Sequence, residues 1–479
     1  MGIPYPLSKK LEENADYLKK MIGVGLSFDV GVREFLIKNV KIQLYYCNSL
    51  NDTLSIIELI KELLLLGEDD VYLHKQAFEI INNHLALHQV MISDDLNEMI
   101  TYILSGLIVI LVENQSKGFA LDLRHYPGRN PEEPETEKTV RGSRDGFTEN
   151  IIINVGLIRR RIRDPYFRTE LHRVGNLSKT DVCLLYIEGL ADDKILKNIR
   201  NRIKSIDVDE IVMADKHLEE LITNQTWNPY PKVRYTERPD ILAVHLYDGL
   251  IGIMADTSPS VMIAPTTYLE QLHHVEEYRQ TPFVGTFLRL IRIGGILVSL
   301  FLVPLWLLFV YHPEYLPKFL SFIGPKESGT VPIIIQILVG EIGIEFLRMA
   351  AIHTPTALST ALGIVAGVLI GQIAIEVGLF SPEIVLYVAV SAIGAYATPS
   401  YELGLANKLA KIVIIITTYF FNIWGFIGGT VFFILFLAFT NSFGKPYLYP
   451  LLPFNFKDFM QIFIRTTQKR KNHRSKVKS

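Results

Sequence analysis

Apolar residues are spaced in two different ways along this chain. Through the first 280 residues they are mixed with charged ones, as in a soluble protein; from 290 to 439 they gather into long blocks. A helix that crosses a bilayer needs about 20 apolar residues, and only the second half supplies such blocks. The overall hydrophobic content of 49% averages over this asymmetry and by itself would suggest an ordinary globular chain.

The first hundred residues read mostly as helices. Asp52-Thr53 precedes Ile56, Ile57, Ile60, Leu63 and Leu64, apolar positions at helical spacing behind a capping residue. A second helical stretch runs through Phe78, Ile81, Leu85 and Leu87. The period then changes. Residues 106–113 are a β-rich apolar run, 114–118 a turn and 119–123 a returning strand, the pattern of a hairpin. Residues 126–138 hold three prolines and a run of acids, which neither a helix nor a central strand sustains.

Beyond that boundary, Thr148 is placed to cap a helix over 149–163. Residues 182–187 read as a strand, and 192–206 as a helix with acids first and bases last, which suits the helix dipole. Residues 250–255 and 261–264 form a further hairpin across Asp256-Thr257-Ser258-Pro259-Ser260. Strands mixed with helices, without a βαβ rhythm, predict an α+β soluble N-terminal half. The expected organisation is an α+β subdomain over 1–126, a linker over 127–140, a second α+β subdomain over 141–280, an all-α transmembrane domain over 281–464 and a basic tail over 465–479.

Five apolar segments are candidates to span. They are 290–310 with Pro304; 331–351 with Glu341, Glu345 and Arg348; 356–380 with Gln372 and Glu376; 384–403, interrupted by Thr398-Pro399-Ser400; and 412–439, longer than one crossing requires and so tilted. The N-terminus has bases but no apolar core behind them, so it reads as no signal peptide, and the soluble half is expected in the cytoplasm. From Arg465 the tail carries bases and no acid, a positive-inside signal. Both ends on one side require an even number of crossings. Four is the preferred count, with the polar 331–351 segment re-entrant or interfacial. The rival solution counts all five and lets 447–464 cross back, although Pro450, Pro453, Lys457 and Asp458 suit no span.

Two patterns in this half carry chemistry. Ser359, Gly363, Gly367 and Gly371 recur every fourth residue, a small-residue strip that allows close helix packing within a subunit or between subunits around an axis. Glu341 and Glu345 share a helix face; Arg348 can neutralise Glu345, which leaves Glu341 without a basic partner within one turn. Charged side chains at the centre of a bilayer cost about 2.5–3.5 kcal/mol on insertion scales, and they line water-filled paths more often than they face lipid. Glu341, Glu345, Gln372 and Glu376 are therefore the candidate ion-path residues, Glu376 being interfacial at its helix end.

Other chemistry is excluded. With 48 basic and 50 acidic residues, net charge points to no partner class. There is no phosphate loop, and Gly23-Val24-Gly25-Leu26-Ser27-Phe28 lacks the third glycine of a dinucleotide fingerprint. His273 and Glu277 could share a helix face as metal ligands but read better as solvated surface. Arg159-Arg160-Arg161-Ile162-Arg163 ends a helix and suits acids, lipid headgroups or a neighbouring subunit rather than nucleic acid. Cys47 and Cys183 read as two buried, reduced thiols. No catalytic set, metal site or cofactor motif is expected, so the chain reads as no enzyme.

Longer motifs point to a family. Pro131-Glu132-Glu133-Pro134, the run Val140-Arg141-Gly142-Ser143-Arg144-Asp145-Gly146-Phe147-Thr148-Glu149, Asn154 and Leu157-Ile158-Arg159-Arg160-Arg161-Ile162 together resemble the signature of the A subunits of bacterial spore germinant receptors. Gly371-Gln372-Ile373-Ala374-Ile375-Glu376-Val377-Gly378-Leu379, Thr398-Pro399-Ser400-Tyr401 and Gly444-Lys445-Pro446-Tyr447-Leu448-Tyr449-Pro450-Leu451 extend the resemblance through the second half. Tyr126-Pro127-Gly128-Arg129, and Arg-Gly-Ser-Arg-Asp-Gly where receptors commonly have Arg-Gly-Pro, look more like the stage V sporulation protein AF branch. The resemblance implies a protein of the spore inner membrane, a homo-oligomer whose helices enclose an ion path used in germination, working beside other germination membrane proteins. Two classes remain open: a channel subunit for monovalent cations, and a non-conducting scaffold that clusters receptors or a partner transporter.

Overall fold

The computed structural model describes residues 4–37, 39–65, 79, 81, 90–126, 142–224, 227–316, 323, 330–353 and 371–465. The chain forms two compact units. One comprises Met1–Thr226 and Val233–Pro265, the other Trp227–Lys232 and Thr266–Gln468.

The first unit is α+β, and its opening stretch is less helical than the apolar pattern predicts. After α1 (Leu11–Ile22) come strands β1 (Val30–Ile37) and β2 (Val40–Cys47), paired antiparallel from Val30 with Cys47 to Ile37 with Val40. Branched and aromatic residues favour the pleat, and Asn39 at φ 67° makes the tight turn between the strands. Helix α2 (Thr53–Leu65), strand β3 (Val90–Ser93) and helix α3 (Leu96–Leu104) follow. The expected helix near 78–87 lies outside the described residues apart from Glu79 and Ile81. The expected hairpin is present as β4 (Ile108–Val112) and β5 (Gly118–Leu121), with Asn114 at φ 62° in its turn. The sheet order is β1-β2-β4-β5-β3. Leu18, Tyr45, Ile103 and Leu111 fill one face with α1 and α3; Ile42, Leu59, Leu63 and Ile110 fill the other with α2.

The second half of this unit repeats the plan. Helix α4 (Ile151–Arg159) leads into β6 (Phe167–Val174), β7 (Thr180–Ile187), α5 (Asp193–Lys204), α6 (Ala214–Thr223), β8 (Arg234–Thr236), α7 (Pro239–Tyr247), β9 (Ile251–Ala255) and β10 (Val261–Ala264). Its sheet order, β6-β7-β9-β10-β8, is that of the first sheet. From α3 to β5 and from α7 to β10 the elements are related by one constant sequence offset. Gly106 and Gly249, both at positive φ, lie two residues before the matching strands β4 and β9, and Asn114 and Thr257, also at positive φ, turn the matching hairpins. The unit is an internal structural duplication, which the periodicity of single elements does not show. The cap of α4 also differs from expectation. Asn150, not Thr148, accepts from the N–H groups of Ile152 and Ile153 at 2.9 and 3.2 Å, while Thr148 Oγ1 accepts from Asn150 N. The expected linker lies outside the described residues.

The second unit is mostly helical: α8 (Val275–Arg279), α9 (Pro282–Tyr311), α10 (Ile333–His353), α11 (Pro382–Tyr396), α12 (Tyr401–Phe439) and α13 (Phe456–Phe463), with a small hairpin of β11 (Asn441–Ser442) and β12 (Lys445–Pro446). Two of these, α9 and α12, are long and apolar enough to cross a membrane. Helix α12 replaces the single tilted span expected over 412–439. It starts earlier, behind the Ser400 cap, and breaks at Asn422, where φ 55° and ψ −133° leave helical geometry. The chain folds back there, so a Cβ on Gly425 would overlap the Thr417 carbonyl, and Gly429 lies against Ile414. The segment expected over 384–403 ends at Tyr396. Its 15 residues reach about 22 Å at 1.5 Å per residue, short of the roughly 30 Å hydrocarbon core.

Contacts set the helix directions. Tyr230, Tyr268, Ile296, Leu403, Leu437 and Tyr447 cluster at one end of the unit, so both arms of α12 have their outer termini there. Tyr311 meets Tyr419 at 5.8 Å between ring centroids at the other end. Helix α11 runs antiparallel to α9, with Gly394 against Gly295 and the Tyr387 ring tilted against Trp306 at 5.1 Å. The region 447–464 forms only the short α13, about 12 Å long at the helical rise, so it does not supply the rival extra crossing.

Candidate functional site

Helix α10 presents Glu341, Glu345 and Arg348 on one face, a spacing of four and three residues. The first arm of α12 presents Asn407, Lys408 and Lys411, and α11 contributes Ser391. Glu341 is 2% exposed, Lys411 3% and Ser391 0%; Asn407 is also buried, and Glu345, Arg348 and Lys408 are half-buried. Lys411 Nζ donates to Glu341 Oε1 at 2.6 Å and to Ser391 Oγ at 3.1 Å, and Ser391 Oγ donates to the Ser299 carbonyl at 3.0 Å. Lys408 Nζ donates to Glu345 Oε2 and to the Glu341 carbonyl, each at 2.9 Å. Arg348 Nε donates to Glu345 Oε1 at 2.9 Å, and its guanidinium lies 4.9 Å over the Tyr401 ring. A small pocket, partly open to the outside, is lined by all five charged groups and by Asn407.

This corrects one expectation and extends another. Glu341 has a close basic partner, Lys411, but on a helix 70 residues further on, where spacing along α10 cannot show it. Glu345 pairs with Arg348 as anticipated and with Lys408 in addition. Gln372 and Glu376 are exposed and do not line the pocket. Ser359, Gly363 and Gly367 lie outside the described residues, and a Cβ on Gly371 would have no atom within 4 Å. The close approaches that are present use other glycines: Gly394 against the Gly295 backbone, and Gly425 and Gly429 against the first arm of α12. Lys408 and Lys411, three apart beside an apolar run, were the overlooked signal.

A second buried ion pair lies in the α+β unit. Asp29, just before β1, accepts from Arg159 Nε and Nη2, both at 2.9 Å, and from Thr169 Oγ1 at 2.6 Å. Both charged side chains are fully buried. Burial would raise the Asp29 carboxyl, but the charge and hydrogen bonds of Arg159 outweigh it and hold it below the usual range. The neighbouring Cys47 thiol is pushed up to about 12, chiefly by burial, and Cys183 is also buried and free. Phe28 N donates to the Thr169 carbonyl at 3.1 Å, so this pair joins the two repeats. Two more arginines of the basic run also have partners within the unit, Arg161 binding Asp145 and Arg160 lying 4.9 Å over the Tyr126 ring, while Arg163 is exposed. Glu277, weighed above as a metal ligand, accepts from Arg289 at 2.7 Å and pairs with Arg292. No group of three or more potential metal ligands occurs among the described residues.

The family model for the Bacillus/Clostridium GerA spore germination protein matches residues 16–477. Stage V sporulation protein AF of Bacillus subtilis (strain 168) is 51% identical over 459 residues, covering 95% of this chain and 92% of its own length. Spore germination protein KA of the same organism is 30% identical over 458 residues, covering 94% and 84%. The crystal structure of the N-terminal domain of the A subunit of the Bacillus megaterium spore germinant receptor GerK3 aligns at 28% identity with a TM-score of 0.43, covering 56% of this chain and 99% of that domain.

Proposed function

Because the chain belongs to the GerA spore germination protein family, we propose that it is a multi-pass subunit of a germination complex in the spore inner membrane, one that oligomerises to pass monovalent cations. The observation that carries the reading is the pocket bordered by Glu341, Glu345, Arg348, Lys408 and Lys411 inside the helical unit. Ionisable groups between membrane helices are costly, face helix interiors or water, and mark ion paths. In this reading Lys411 occupies the Glu341 carboxylate as a tethered cation, and conduction requires it to move aside so that passing cations meet Glu341. The α+β unit, held in the cytoplasm, serves assembly and gating rather than catalysis. The helix directions favour two cytoplasmic ends: the folded-back α12 has both its outer termini at the end of the unit where Ile296 of α9 lies.

Purified protein reconstituted in liposomes, sized by crosslinking and assayed for potassium release, tests this. Wild type should conduct as an oligomer, and Glu341→Gln should keep the oligomer and lose flux or selectivity. Unchanged flux would remove Glu341 from the path. An intact oligomer that stays silent where a known channel conducts would favour a scaffold that clusters other germination proteins.

A further inference from the structure

The charge cluster around the pocket is not balanced. Arg348, Lys408 and Lys411 bring three positive charges, and Glu341 and Glu345 bring two negative ones. Glu345 already serves Arg348 through one oxygen and Lys408 through the other, and Glu341 serves Lys411 at 2.6 Å with Lys408 4.0 Å away. The pocket is lined by no further acid among the described residues. The stretch 354–370 between α10 and the next described helical turn contains no acid in its sequence. Glu402 accepts from Ser400 at the start of α12 and does not line the pocket. A surplus charge among apolar helices is expensive unless something compensates it.

Asn407 points to the same compensation independently. It is 4% exposed and lines the pocket. Its Oδ1 accepts from the Tyr268 hydroxyl at 3.2 Å, while its Nδ2 is buried with no hydrogen-bond partner. Turning the amide over would aim a donor at the Tyr268 hydroxyl and take away the acceptor for the hydroxyl's own hydrogen, so the orientation follows from the network. A buried donor without an acceptor is costly. One negatively charged acceptor would meet both demands.

We propose that this pocket binds a small monovalent anion, a halide or a small carboxylate, held by the surplus charge of Arg348, Lys408 and Lys411 and by Asn407 Nδ2. With Lys411 seated on Glu341, a free cation would meet net repulsion there, and a dianion would reverse the imbalance rather than cancel it. The rival is a neutral Lys411, which would balance the cluster with no ligand. The inference rests on the cluster and not on conduction, so binding without flux would leave it standing while removing the channel.

Equilibrium binding of radiolabelled chloride to the purified full-length chain in detergent tests it, with gluconate as the background anion at constant ionic strength. Wild type should show one saturable site per chain. Competition by unlabelled acetate identifies a carboxylate site, and competition by bromide alone a halide site. Asn407→Asp, which adds the compensating charge in place, should abolish chloride binding and make thermal stability independent of the anion. Should that variant not fold, Lys408→Met removes the surplus charge instead and should abolish binding in the same way. No saturable binding to folded wild type, or unaltered binding in the folded variant, overturns the proposal and favours the neutral lysine.

Discussion

Asp29–Arg159 in the α+β unit and Glu341–Lys411 in the helical unit are both buried carboxylate–cation pairs, but their surroundings differ. Asp29 is saturated: a two-point contact from one arginine, a threonine hydroxyl, and Cys47 and Ser49 at the margin. Arg159 also donates to the Phe167 carbonyl and lies 4.4 Å over the Phe167 ring. Both charged side chains of that network are fully buried. Glu341 instead has one short contact, to a flexible lysine, and borders a pocket with the unpartnered Asn407 Nδ2 in its wall. A fully satisfied polar network holds one arrangement; a partly satisfied one beside a cavity can exchange partners. Burial alone therefore does not separate structural charges from working ones. In the proposed reading, the satisfaction of each partner does.

The largest effect should come from breaking the saturated pair. Arg159→Met leaves a buried carboxylate uncompensated and should cost about 3–5 kcal/mol, read by denaturant unfolding of the α+β unit within the whole chain. Hydrogen exchange should rise first at Ser27–Asp29 and along β6, where the repeats meet. A loss below 1 kcal/mol would mean the pair behaves like a surface salt bridge. Next comes overpacking of the helical unit: Gly394→Leu, which drives a side chain into the Gly295 backbone, should cost about 1–3 kcal/mol. Gly371→Leu, where no atom lies within 4 Å, should leave monomer stability unchanged by thermal melting.

The smallest effect is electrostatic and confined to the α+β unit. Glu170 accepts from Arg200 through both oxygens at 2.8 Å and pairs with His172 at 2.9 Å. Burial raises its carboxyl, but His172 and Arg200 outweigh that and bring it from 4.5 to about 2. A carboxyl lowered on folding stabilises above its unfolded value, and that stability fades as pH falls from about 4.5 towards 2. Arg200→Met should flatten this acid limb in melting curves taken across that range. An unchanged limb would assign it to other carboxylates, Asp29 first.

Local signals carried much of the fold. The hairpins at 108–121 and 251–264 were legible because β-rich runs flank polar turn residues, and α5 because acids and bases mark its ends. The β1–β2 hairpin was hidden: Arg33-Glu34 interrupts its apolar run, and its turn is too short for composition to mark. The duplication needed Gly106-Leu107-Ile108 to be set beside Gly249-Leu250-Ile251, a comparison that periodicity does not make. In the site, Glu341 stood out as an acid within an apolar block, whereas its partnership with Lys411 is a long-range contact set by how α10 and α12 pack. The break at Asn422 was equally silent, because one asparagine in the mostly apolar run after Lys411 signals no reversal until Gly425 and Gly429 are seen against the preceding arm.

The central claim, that Glu341 and Lys411 form a working pair rather than a structural one, is tested most directly by exchanging their charges. The double variant Glu341→Lys, Lys411→Glu keeps an ion pair between α10 and α12 and keeps the net charge of the cluster. Wild type and exchanged protein would be reconstituted side by side, melted to compare stability, and assayed for potassium release from liposomes. The account predicts closely similar melting and a loss of cation flux of at least about tenfold, equivalent to about 1.4 kcal/mol, because a lysine on α10 would now face the path. Equal melting with undiminished potassium flux would contradict it and reduce the pair to a structural fastening.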